Sequence, residues 1–221
     1  MSVTDESVPG DSQIGNTRYW PIPVLRGIVA IAVAIAITFN ADHSPLLGFL
    51  SFGILTVATG IIVAAGSLKL LGTDSSRTAL LVQAIISIVA GAIALAFPNA
   101  GVPFLLFLVS AWAAITGFLE LFVGLRSRRR TAFAKDWLFV GVLTAVFAVA
   151  ILLVPADFAQ HFIGPDKIER VLTASVIADG IIGAYGAILG VYLVIAGLSL
   201  KWGTATATPV AEPQVSQGGN S

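Results

Sequence analysis

The chain has 221 residues, 57% of them apolar and 11% charged, with zero net charge and no cysteine. Charged side chains at about half the share usual in a soluble domain cannot cover a water-facing surface, so composition excludes an ordinary soluble fold. Zero net charge excludes a general attraction to nucleic acid. The lack of cysteine excludes disulfides, thiolate metal sites and a cysteine nucleophile, and leaves the redox compartment open.

Residues 1–19 are polar and mildly acidic and lack the basic start, apolar core and small-residue cleavage site of a secretory signal. They predict a disordered tail, with the first apolar run retained as a span. A helix crossing roughly 30 Å of hydrocarbon needs about 20 mostly apolar residues. Six segments meet this, at about 21–39, 46–68, 78–97, 103–125, 137–154 and 173–201. The first opens on Trp20-Pro21-Ile22-Pro23, and proline suits a first turn because its missing N–H has no partner there. The last is longer than one crossing requires, which predicts a membrane part at 181–201 and an outer helical extension or kinked start over 166–180. Residues 203–221, rich in small residues, Pro and Gln, predict a second disordered tail. The expected architecture is an all-α membrane protein, with a transmembrane domain over 20–202.

With six spans, both tails and the second and fourth connections share one side. Ten of the twelve Lys and Arg residues fall there: Arg18, Arg26, Lys69, Arg77, Arg126, Arg128, Arg129, Arg130, Lys135 and Lys201. Only Lys167 and Arg170 fall on the other. Positive charge in short connections stays cytoplasmic, so both termini are expected inside the cell. Trp20, Trp137 and Trp202 mark the same boundary, where an amphipathic ring prefers to lie. The basic loop Arg126, Arg128, Arg129 and Arg130 reads first as a topology determinant and second as a patch for anionic lipid or a partner.

The sequence also restates itself. AIAITFNA at Ala34, AIALAFPNA at Ala92 and AVAILLVPAD at Ala148 place Phe39, Phe97 and Val154 at turn entries 58 and 57 residues apart, and TGIIVAAGSLK at Thr59 returns 57 residues later as TGFLELFVGLR at Thr116. The expected organisation is three repeated helical hairpins over about 20–70, 77–127 and 136–202. Gly180, Gly183, Gly186, Gly190 and Gly197 give the last span a thin face for close helix packing.

Three hairpins with Asn or Pro after the first helix (Phe39-Asn40, Phe97-Pro98, Val154-Pro155), a glycine-containing second helix ending in a basic residue (Gly60 to Lys69, Gly117 to Arg126) and Trp137 opening a hairpin resemble the HdeD-like family of bacterial acid-resistance membrane proteins. The resemblance covers residues 20–202. It implies a multi-pass protein of the bacterial plasma membrane with a role in withstanding acid. It carries no catalytic motif and no cofactor.

Polar residues inside the spans are few. Glu120 lies six residues before Arg126, Arg26 six after Trp20, and Gln83 six after Arg77. At 1.5 Å per residue each sits about 9 Å inside the boundary, so the three form a candidate polar layer with Arg26 and Glu120 as an ion pair. Such a layer suits structural pairing, snorkelling of Arg26 beside a wet crevice, or a proton or solute relay. Asp179 is expected near the outer end of the last span. His43, beside Asp42, and His161, four residues after Asp157, fall on the outer side and are candidate pH-responsive groups, because imidazole changes charge between about pH 5 and 8. Two histidines with no further ligands make a poor metal site, and Asp157 and Asp166 alone are a weak enzyme signal. No phosphate loop, nucleophile elbow or HExxH motif occurs. The expected function is that of a non-enzymatic component of acid or envelope stress, alternatively a small-solute or proton pathway. The expected partners are the bilayer and a membrane protein or a second copy.

Overall fold

The computed structural model describes residues 20–70, 75–128, 134–163 and 169–203. The two tails, Arg18, Arg129, Arg130, Asp166 and Lys167 lie outside the described residues. Six helices cover most of it: α1 (Pro21–Phe39), α2 (Pro45–Leu70), α3 (Ser75–Ala96), α4 (Val102–Ser127), α5 (Ala134–Leu152) and α6 (Ala174–Gly203). Each is long and apolar enough to cross a membrane, and the protein is a multi-pass helical bundle. The start of α1, the end of α6, and the helix ends that face the α2–α3 and α4–α5 connections lie together, here called the termini end.

Local chemistry sets the boundaries. Prolines open α1 and α2, and Gly101, at φ 89°, turns the chain into Pro103 in the first turn of α4. Extended Asn40 stops α1. Four threonine hydroxyls inside the spans are satisfied by their own helices: Thr56, Thr59, Thr116 and Thr144 donate to the carbonyls of Phe52, Leu55, Trp112 and Val140 at 2.6–2.8 Å, whereas the buried Ser67 hydroxyl of α2 has no partner. Outward positions such as Ile28, Ile61, Ile85, Phe118, Val146 and Ile195 stay exposed on the bundle surface, which suits acyl chains as solvent.

The outer end differs from expectation. Residues 159–163 and 169–173 form β1 (Ala159–Ile163) and β2 (Glu169–Thr173), paired antiparallel with Ala159 opposite Thr173 and Ile163 opposite Glu169. The helical extension predicted over 166–180 is therefore replaced: 169–173 is strand, and α6 begins at Ala174. Thr173 sets that start, accepting the N–H of Val176 on its hydroxyl at 3.5 Å and sharing a hydrogen bond with Ser175.

The closest helix pairs are also not the three expected hairpins. They are α2 with α3, α4 with α5, and α6 with α1, which brings the first and last helices together. Each seam is built on facing glycines. A Cβ added at Gly91 would lie 2.8 Å from the Gly53 carbonyl oxygen, at Gly141 3.1 Å from that of Gly117, and at Gly190 2.8 Å from that of Gly27. In lipid, where no hydrophobic drive pushes helices together, this backbone approach supplies the packing contact. The glycine face of the last span is thus used within the chain, against α1. Where α1 and α6 meet at the termini end, the Lys201 ammonium lies 4.6 Å from the Trp20 ring centroid.

The main apolar core runs from the strand end to mid-bundle around Phe49, Phe52, Leu105, Val109, Ile151 and Ile182. A smaller cluster of Val63, Leu80, Ala84, Val123 and Trp137 packs separately.

Candidate functional site

Three helices bring one polar side chain each to a common point. Arg26 stands in the second turn of α1, Gln83 in the third turn of α3, and Glu120 two turns before the end of α4. Arg26 Nη2 donates to Glu120 Oε1 at 3.2 Å, and Gln83 Nε2 donates to the same oxygen at 2.6 Å. Glu120 is 2% exposed and the Arg26 side chain 13%. Both donors therefore converge on one carboxylate oxygen in a dry setting, where each hydrogen bond is charge-assisted. Arg26 Nε and Gln83 Oε1 are buried without a partner.

The sequence positions explain the convergence. Gly60 faces the backbone of Ala84, Gly117 that of Gly141, and Gly190 that of Gly27. Gly27, Ala84 and Gly141 are spaced by 57 residues, so the residues just before them, Arg26, Gln83 and Val140, hold corresponding places on α1, α3 and α5. Two of these places are polar and point to Glu120. The third, Val140, is apolar and buried.

A cavity of ≈ 20 Å³ adjoins the cluster, lined by Arg26, Gln83 and Glu120 together with Thr59, Ser87, Thr116, Thr144 and Tyr185. That is room for about one water molecule. Because Thr144 donates its hydroxyl to the Val140 carbonyl, the Tyr185 hydroxyl, 3.0 Å away, is the donor to Thr144 Oγ1. Tyr185 is held by Phe147, stacked at 4.2 Å, and Trp112 donates to Ser87 at 3.0 Å. A second cavity of ≈ 20 Å³ is also lined by Arg26 and reaches Asp136. Asp136 accepts the Tyr192 hydroxyl at 2.8 Å. Arg26 thus lines two water-sized spaces, one with Glu120 and one with Asp136.

The remaining sequence candidates lie apart from this site. His161 Nδ1 approaches Glu169 Oε1 across the strand pair at 3.3 Å, with both side chains largely exposed. Its neighbour is Glu169, not Asp157, which is exposed before β1. His43 is partly buried in the α1–α2 connection. Arg126 and Arg128 are exposed at the end of α4. Among the described residues, no group of three or more His, Asp or Glu side chains could hold a metal ion.

Sequence reasoning placed Asp179 near the outer end of the last span, where it lies, and missed its burial. It is fully buried in the second turn of α6, and neither carboxyl oxygen has a hydrogen-bond partner. Asp136 was missed as well. Its signal was available, since an acid in the first turn of a span is placed to face the bundle when an aromatic hydroxyl on a neighbouring helix can reach it.

A family model described as a short repeat of unknown function (DUF308) matches residues 82–153, about a third of the chain, running from α3 through α5. This repeat family includes HdeD-like membrane proteins. No curated protein and no solved structure matches the chain. The matched stretch contains Gln83, Glu120 and Asp136, and Arg26 and Asp179 lie outside it.

Proposed function

We propose that this protein is a non-enzymatic, multi-pass component of the bacterial cell membrane, of the HdeD-like type, acting in acid or envelope stress with both termini in the cytoplasm. The observation that carries this reading is the closure of the buried charge on itself. A carboxylate that holds an arginine and an amide on one oxygen is suited to fixing three helices, not to exchanging protons with a substrate. The match to a repeat family that includes HdeD-like proteins supports the stress role, and the basic residues of the termini end support the orientation. A membrane-protein partner or a second copy is part of this reading. A deletion strain exposed to a range of pH and envelope stresses tests it. Survival should drop in at least one condition and return with the wild-type gene. Growth equal to wild type under every stress would refute the role.

A second reading, a pathway for protons or a small solute, is favoured by the two cavities that share Arg26. Purified protein in liposomes separates the two. Flux that Glu120→Gln abolishes would support the pathway, whereas flux no greater than in empty liposomes, with a stable partner co-purifying, would support the first reading.

A further inference from the structure

Asp179 is the least accommodated ionisable group in the described structure. It is 0% exposed, and both oxygens lack a hydrogen-bond partner. Its position follows from α6 starting at Ala174, which carries the side chain into the bundle instead of leaving it at the surface. Ala178 and Ile182, on either side of it along α6, are fully buried. From α2, Gly48 leaves the space that the carboxyl fills: a Cβ there would lie 2.6 Å from Asp179 Oδ1 and 2.6 Å from Leu105 Cδ2 of α4. The walls are therefore a glycine backbone and buried aliphatic side chains.

Neither carboxyl oxygen is hydrogen-bonded, although His43 beside Asp42 and Arg170 of β2 stand at the same end of the bundle. The lysine of α2, Lys69, and the charged residues of α4, Glu120 and Arg126, stand towards the termini end, as does Arg26 of α1. On the strands, His161 and Glu169 face each other, and neither of the described ion pairs includes Asp179. A bare carboxylate in such a place costs several kcal/mol, and a lone oxygen pair without further acidic ligands is a poor cation cage. A proton removes the charge without needing a second ligand.

We propose that the Asp179 carboxyl is a proton-binding site at the strand end of the bundle, and that the bound proton lets α6 stay packed against Gly48 of α2. The proton sits on one carboxyl oxygen of the folded protein. On unfolding, the carboxyl meets water and releases it, so folding takes the proton up. Stability from this site is then present at low pH and is lost as pH rises beyond the ordinary aspartate range, until the buried group itself ionises. Acid strengthens this end of the bundle. The site is independent of the stress reading, because its test needs no phenotype.

The test uses the full chain in lipid nanodiscs. Infrared spectra at about neutral pH should contain the C=O stretch of a protonated carboxyl, absent in Asp179→Asn and retained in Asp136→Asn. Above about pH 4 the wild-type melting temperature should fall by roughly 5 °C and level off where the infrared band fades, while D179N stays level. If D179N does not assemble, a wild-type melting temperature that falls while the band persists and levels off as it fades decides the matter alone. A wild type with no such band, a band that persists in D179N, or a D179N protein with the wild-type pH profile would overturn the proposal. So would a melting temperature that rises with sodium at constant ionic strength, which would make the site a cation site.

Discussion

Glu120 and Asp179 are both carboxyl groups sealed inside the bundle, and the fold treats them in opposite ways. Glu120 draws donors from two other helices onto one oxygen. Asp179 meets a glycine, a leucine and no donor. An acid can be kept in a dry interior as an anion if the fold supplies opposite charge, or as a neutral acid if it supplies none. The first solution ties helices that are distant in sequence. The second makes one end of the bundle answer to pH. The two sites therefore differ in what breaks them.

The largest effect should come from taking away the acid at the paired site. Glu120→Leu leaves the Arg26 guanidinium and the Gln83 amide facing hydrocarbon, a loss of about 3–5 kcal/mol when one partner of a buried pair is removed. Protein level in membranes and melting temperature in detergent should both fall sharply. The double change Arg26→Leu with Glu120→Leu removes both charges and should recover most of that loss. Single and double variants that assemble equally well would show that the ion pair is not what holds α1 to α4.

Next in size is the amide. Gln83→Leu deletes the 2.6 Å donor to Glu120, and a hydrogen bond to a charged group is worth about 1.5–3 kcal/mol. The lower part of that range is expected, because the change also removes the unpartnered Gln83 Oε1. In the Arg26→Leu and Glu120→Leu background the same change should cost nothing measurable. A double-mutant cycle on melting temperature reads this coupling, and equal costs in the two backgrounds would dissolve the cluster into independent contacts.

Much of the paired site was legible in the sequence, and the neutral site was not, for a physical reason. The six spans follow from the length of hydrocarbon a helix must cross. The depth of Arg26, Gln83 and Glu120 follows from counting six residues inward from Trp20, Arg77 and Arg126, since helix rise is fixed. Their convergence needed the further fact that Arg26 and Gln83 are 57 residues apart, as are the glycine and alanine beside them. The place of Asp179 near the outer end of the last span was legible, but its burial was not, because the apolar run from Val171 onward looks like one continuous helix. The strand over 169–173 exists only through pairing with 159–163, a contact between segments that single-segment hydropathy does not contain. The bounding cluster Gly164-Pro165-Asp166 was the available turn signal. Likewise, pairing by consecutive hairpins is the natural expectation from short connections, and the α1–α6 seam is set by glycine contacts that only the closed bundle creates.

Smaller again is the change at the unpaired acid. Asp179→Asn keeps the shape and removes the need for a proton, so at about neutral pH its melting temperature should lie within a few degrees of wild type, well short of the loss caused by Glu120→Leu. The D179N variant and wild type should diverge only as pH rises. A loss as large as that of Glu120→Leu would mean that Asp179 has a charged partner after all, and the two sites would then be alike.

The smallest effect belongs to the acid that stays in water. Glu169 pairs with His161 at 3.3 Å, with side chains 73% and 66% exposed, so the same chemistry as at Glu120 operates in a high dielectric. Such pairs contribute about 0–1 kcal/mol and are screened by salt. His161→Gln should shift the melting temperature by about 1 °C at most, and by less in high salt. Replacing His43 as well should add nothing, because no hydrogen bond or ion pair of the described structure ties it to the strands. Acid survival of a strain carrying both changes should therefore equal wild type. Survival that drops with the two histidines, with Asp179→Asn unaffected, would move the pH response from the buried acid to the exposed loops.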